Sequence, residues 1–251
     1  MGNSKVQSLE EISGGQMAAL ISGICIEIPR RGHLGLVKSM IANTKRMKPI
    51  LRALVEKPNE VALRTEEALT HWHEGWPKFW RAFGFKYDHN SLFLPEYRSG
   101  FAWSVVTPDL STWPASRLLR EVCGRMFPVW SSYSDSELDK IVSAAEPTSS
   151  YVMLVRDTIE ADDVHRNKST RKIEADKIPA ITLRQRTVLE ARYFMETACH
   201  LDLSNATICA GSRYSDGNVP FANWIVDKFW VSYVYPDYSC DYWRVREVVS
   251  Y

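Results

Sequence analysis

The chain has no apolar run near the ~20 residues that a membrane-spanning helix needs. None follows Lys5 in the opening MGNSKVQSLEE either, so no secretory signal is expected and a cytoplasmic address is the expectation. Gly2 begins a pattern close to a myristoylation signal, but Val6 stands where that signal needs Ser or Thr. The five cysteines (Cys25, Cys123, Cys199, Cys209 and Cys240) are odd in number, widely spaced and free of any CxxC. That argues for reduced thiols, against a disulfide framework and against a zinc site. A net charge of +1 gives no overall pull toward nucleic acid or an anionic membrane. The phosphate-binding patterns GxxxxGK[ST] and GxGxxG are missing. Ser212 is not in a GxSxG elbow, and Cys209 with His200 is better read as a small buried thiol than as a thiolate pair. No catalytic residue, metal or cofactor is therefore expected.

What is present is an ordinary globular composition, with 45% hydrophobic and 24% charged residues over 251 positions. Residues 1–58 read as a separate helical, basic region. Ser8 and Glu11 form a capping box, Pro29 and Gly32 break the chain, and Pro58-Asn59 is a joint. Between Arg30 and Lys57 there are eight Lys or Arg and a single acid, Glu56. Nucleic acid is the alternative partner there, but no aromatic residue accompanies the basic ones, and a solvated helix face is the commoner meaning.

Residues 59–251 read as one α+β domain. In EEALTHWHEGWPKFWRAFGFKY, Trp76, Phe79, Trp80 and Phe83 recur at helical spacing, with Pro77 suited to a first turn. His71, His73 and Glu74 invite a metal reading that no nearby Cys or further His completes. FAWSVVTP and SSYVMLVRD are predicted strands, WPASRLLREVCGRMF a helix that Gly124 ends. Residues 159–177 read as a charged loop in which Glu160, Asp162, Asp163 and His165 are of the kind that binds a cation, although a plain surface loop is commoner. Thr182 and Gln185 form a capping box for a helix running to about His200, with Leu183, Leu189, Tyr193, Phe194 and Thr197 on its buried stripe. Short strands follow in LDLSNATICAGSR, VPFANW, KFWVSYVY and WRVREVVS, with Gly211, Gly217, Pro220 and Pro236 as turns. Arg213 with Asp216 reads as a turn-fixing ion pair or as a hydrogen bond to backbone. The last strand is expected to return toward the start of the domain.

Residues 214–243 hold the densest signal. Ten of these thirty residues are aromatic, against 12% overall, and five of the eleven tyrosines lie among them, interleaved with Ser, Asp and Asn. Large rigid aromatics beside small adaptable polar groups are the composition of binding paratopes.

The frame around that filling carries a resemblance. TLRQR (182–186), ETACHLD (196–202), CAGSRYSDGNVP (209–220) and RVREVVS (244–250) match the motifs TLxER, ETxxHLD, CxGSRxSDGxVP and RxREVVS of an uncharacterised bacterial protein family, with Gln185 where that family has Glu. The similarity covers roughly residues 75–250. The same layout resembles the variable proteins of diversity-generating retroelements. That resemblance implies a C-type-lectin-like fold of the formylglycine-generating-enzyme type, and a C-terminal ligand-binding site diversified by adenine-directed mutagenesis through a reverse transcriptase.

The codon table agrees with it. Asn codons altered at either adenine reach Asn, Tyr, Asp, Ser, Ile, Phe, Val and Cys, but not Lys, Glu, Gln, Met or Trp. Tyr214, Asn218, Phe221, Asn223, Ile225, Ser232, Tyr233, Tyr235, Asp237, Tyr238, Ser239, Cys240, Asp241 and Tyr242 are all of the reachable kinds. They are the expected variable, ligand-binding residues, on a face spanning about 211–246. Gly211, Ser212, Arg213, Asp216, Gly217, Pro220, Trp224, Arg244 and Arg246 are the expected scaffold, joined by Lys228, Trp230 and Trp243 as unreachable types. The expected function is non-catalytic binding of a protein or other macromolecule. The alternative from another class is a copper enzyme of the formylglycine-generating type, for which Cys209 and Cys240 are the candidate pair.

Overall fold

A computed structural model of the chain describes residues 69–250 except 144, 145 and 148. The N-terminal helical region, the basic segment and the 58/59 joint lie outside the described residues. No helix among those described is long and apolar enough to cross a membrane.

The described chain is mixed α/β with three sheets. Residues 69–74 are helical, and α1 (Trp76–Ala82) follows with Pro77 in its first turn. Trp76, Phe79 and Trp80 are fully buried. They dock α1 on strand β1 (Trp103–Thr107), and each indole finds an acceptor. Trp72 and Trp76 donate to the Ser104 carbonyl at 2.8 and 3.0 Å, and Trp80 donates to Val106 at 2.8 Å. Buried tryptophan needs such an acceptor, so the aromatic helical stripe and the strand specify one another. Strand β1 pairs antiparallel with β4 (Tyr151–Val155), as the two apolar runs predict. The helical pattern over 115–125 is continuous but irregular. It begins as α2 (Ala115–Arg117), loosens to a π turn at Leu118–Val122 and tightens to 3-10 at Cys123–Arg125.

Beyond β2 (Val129–Ser131), α3 (Asp135–Leu138) and β3 (Val142–Ser143), the expected loop over 159–177 contains a helix, α4 (Thr170–Ala175). Its stripe is a single buried hydrophobe, Ile173, too little for a periodic signal, and Ser169 caps it by accepting from the Lys172 N–H. Helix α5 (Leu183–Thr197) starts at the predicted capping box. Thr182 Oγ1 accepts from the Gln185 N–H at 3.2 Å, and Gln185 Oε1 accepts from the Thr182 N–H at 2.8 Å. It ends at Thr197 with Ala198 left-handed. Rather than one stripe, α5 buries every residue from Gln185 to Tyr193, because β1 and the main sheet both pack on it.

The main sheet has the order β2-β8-β7-β5-β9, built with β5 (Ala206–Ile208), β7 (Val219–Ile225), β8 (Lys228–Val234) and β9 (Trp243–Arg244), while β6 (Ser212–Arg213) pairs antiparallel with β3 in a separate small sheet. The β2–β8 and β5–β9 pairs are parallel and the rest antiparallel. Ala222, Val231 and Phe229 face α5 in the core. Pro220 is not a turn residue: it sits inside β7 opposite Tyr233. Its missing N–H faces Cys209 rather than β8; the Cys209 N–H still donates to the Pro220 carbonyl at 2.8 Å, and the Cys209 carbonyl accepts from the Ser212 N–H at 2.9 Å instead. The chain end is less regular than the predicted strand. Glu247 bridges Ala180 and Val249 bridges Leu154, which brings the C-terminus to β4 beside β1.

The β7–β8 hairpin closes through Val226 and Asp227, at φ 51° and 55°. Such two-residue turns favour Asn, Asp or Gly, and left-handed geometry costs a branched residue about 1–2 kcal/mol. Val226 is 75% exposed and has no packing to offset this. Val226→Asn is therefore expected to raise the thermal midpoint by a few degrees, read by circular dichroism; an unchanged or lower midpoint would contradict the strain.

Candidate functional site

Alternation along β7 and β8 divides their side chains. Ala222, Val231, Trp224 and Phe229 point toward α5, while Phe221, Asn223, Ile225, Lys228, Trp230 and Ser232 point to the opposite, outer face. On that outer face Trp230 stacks on Trp130 of β2, with ring centroids 3.5 Å apart. Phe221 packs on Trp243 at 4.5 Å, and Tyr238 and Tyr242 meet the edges of Trp243. The segment 235–242 borders this surface with Tyr235, Asp237, Tyr238, Ser239 and Asp241 exposed. It is tied down where the Arg171 N–H donates to the Pro236 carbonyl at 3.1 Å and the Arg171 side chain pairs with Asp237.

The expected variable residues thus separate. Ile225, Tyr233, Tyr235, Asp237, Tyr238, Ser239 and Asp241 are exposed, and Asn218, Phe221, Ser232, Cys240 and Tyr242 are half-buried. Two are inside, contrary to expectation. Tyr214 is buried because it precedes the tight turn over 214–218 and its ring stacks on Tyr133 at 3.8 Å. Asn223 is buried with its Nδ2 donating to the Tyr242 hydroxyl at 2.6 Å. Trp230 and Trp243, expected as scaffold, lie on the outer face itself. Trp130 carries no sequence signal for this face, because a three-residue strand far upstream gives no sign that it will pair beside β8.

The remaining frame residues have structural work. Gly211 lies so close to Ala180 that a Cβ would come within 2.6 Å of its carbonyl oxygen. Gly217 has φ +86°, as the turn requires. Of the two readings of Arg213 and Asp216, the ion pair does not form and the hydrogen bonds to backbone do. Arg213 pairs with Glu174 and donates to the Ala210 carbonyl, while Asp216 accepts from Tyr133, at 2.6 Å, and from Asn218. Trp224 stacks flat on His200. Arg244 pairs with Asp163 at 3.3 Å.

Arg246 is fully buried and enters a closed network of charge. It donates to Asp202 Oδ1 at 2.7 Å and to the carbonyls of Thr158 and Ile159. Arg186 holds the other Asp202 oxygen at 2.8 Å and Glu190 at 2.7 Å, and His200 meets Glu190 at 2.8 Å. Thr207 donates to Asp202 at 2.5 Å. Burial alone would raise the Asp202 carboxyl, but Arg246 and Arg186 more than offset it and hold its pKa below the ordinary value. Two arginines and two carboxylates balance, which is how charge survives in a dry interior. His200 is thereby engaged with Glu190 and Trp224 rather than with Cys209. Burial pushes the Cys209 thiol up to about 12, so it stays protonated at neutral pH.

The two metal readings part ways. His73 is buried against Ser104 and His89, and burial lowers its pKa to about 4, while His71 is exposed. Asp162 and His165 do meet, together with Glu247, within 4.8 Å. However, the Arg156 guanidinium already bridges Asp162 and Glu247, and Arg98 takes the second Glu247 oxygen at 3.1 Å. A guanidinium therefore supplies the positive charge between these carboxylates. Glu160 turns away to accept the Ser204 and Asn205 N–H groups, and Asp163 pairs outward with Arg166.

The chain matches no protein-family model, no curated protein and no solved structure.

Proposed function

We propose that the protein is a non-catalytic binder whose outer sheet face and bordering 235–242 segment present diversified residues to a protein or other macromolecular ligand, as the variable protein of a diversity-generating retroelement. The observation that carries this reading is the division between filling and frame. Most residues reachable from altered Asn codons are exposed or half-buried, chiefly on the outer sheet face and the 235–242 segment, with Tyr233 on the opposite face beside Tyr133, whereas Arg246, Gly211 and Trp224 are committed to packing and buried charge. The stacked tryptophans supply contact area at little entropic cost, and Ser, Asn and Asp supply adaptable hydrogen bonds. A C-type-lectin-like architecture is part of the same proposal. It is supported by a helix against a short-stranded sheet and by a C-terminus that returns beside the first strand pair. The buried, protonated Cys209 favours binding over thiol-dependent copper chemistry.

The decisive test is the DNA flanking the gene. A near-copy of the codons for residues 211–246, differing only at adenines and adjacent to a reverse-transcriptase gene, is the expected finding. Identical residues in every sibling copy, with no such repeat, would refute diversification. At the protein level, Tyr235→Ala and Tyr238→Ala are expected to change stability by no more than about 0.5 kcal/mol in urea unfolding, as exposed sites away from special features do. Losses comparable to a core truncation would mean that these tyrosines hold the fold instead.

A further inference from the structure

Between α4, β4 and the start of α5, the described residues line a cleft of about 830 Å³. Its walls are apolar: Val152 and Met153 of β4, Ile173 of α4, Ile178, and Leu92 with Phe93 at the mouth. Phe93 is 76% exposed there. Polar groups gather at the start of α5, where Gln185 Nε2 donates to the Tyr151 hydroxyl at 3.0 Å and Thr182 stands alongside. One charged side chain, Glu174, lines the cleft, and it is already paired with Arg213. No Lys or Arg is among the lining residues.

We propose that this cleft is a second binding site, for an uncharged, mainly apolar small molecule whose hydroxyl or carbonyl end meets Tyr151 and Gln185. The volume is that of small-ligand pockets, typically ~300–1,000 Å³, and the lining has their usual character, apolar with a few convergent polar groups. Charge decides the class. An anionic head would meet Glu174 with no cation free to receive it, so an alcohol or amide is favoured over a carboxylate of the same length. The cleft shares no residue with the variable set, so the proposal does not depend on diversification.

Nile red, a neutral dye, tests it on the full chain. Saturable one-to-one binding with a blue-shifted emission is expected, weakened at least ten-fold by Ala210→Phe or Ile178→Trp, which fill the cleft, and unaffected by Tyr238→Ala on the outer face. Circular dichroism identifies a filling variant that fails to fold, and competition on the unaltered protein then decides alone. Dodecan-1-ol should displace the dye at concentrations at least ten-fold lower than dodecanoate does. Absence of saturable binding, binding untouched by filling in a folded variant, or dodecanoate competing as well as the alcohol would overturn the proposal.

Discussion

Asp202→Ala is expected to cost about 3–5 kcal/mol, because it leaves Arg186 and Arg246 without their shared carboxylate in a fully buried site. For a domain of this size that corresponds to a fall of roughly 6–20 °C in the thermal midpoint. Chemical denaturation followed by tryptophan fluorescence would read it. A loss under about 1 kcal/mol would mean that water reaches the arginines. Adding Arg246→Met to Asp202→Ala should cost less than the sum of the two single changes, since the second removes a charge that the first left uncompensated. The same network predicts an acid limit. Asp202 has a folded pKa below its ordinary value of 3.8, so its contribution is fully present above about pH 4. It is lost as pH falls through the lower folded value. Unfolding midpoints measured from pH 6 down to pH 2 should therefore drop at the acid end, and the Asp202→Ala variant should have a shallower drop there.

Trp76→Ala is the second large effect. It deletes a fully buried indole packed edge to face on Phe79 at 5.2 Å and removes one donor to the Ser104 carbonyl. Truncating a buried tryptophan costs about 3–5 kcal/mol. Trp76→Phe should cost distinctly less, because it keeps most of the apolar contact and Trp72 still donates to Ser104. Near-ultraviolet dichroism should lose intensity in the alanine variant. Equal stability of the two variants would imply that the hydrogen bond, not the packing, holds α1 on β1.

Much of the architecture could be read from local signals that the tertiary structure did not overrule. The Thr182–Gln185 capping box, the aromatic helical spacing before Ala82 and the apolar runs of β1 and β4 each point to one element, and each forms. What could not be read was non-local. Arg186 and Glu190 look like solvent residues on a helix, and only Asp202 and Arg246, brought in by two other segments, explain their burial. Tyr214 has the composition of a displayed residue, yet Tyr133, more than eighty positions upstream, covers it. Trp130 reaches the outer face through a strand too short to carry periodicity. At the candidate site, composition identified the segment, and the fold decided which of its side chains face outward.

The order of the main sheet has a consequence for self-association. Its edges are β2 and β9, three and two residues long, while the longer β7 and β8 are paired on both sides. Unpaired main chain along a long edge strand invites another copy to add on, and aggregation follows most readily when nearby side chains are apolar. Here the aromatic surface lies over the middle of the sheet and the edges offer almost no ladder to extend. Substitutions across that surface should leave the main sheet similarly resistant to edge-to-edge growth.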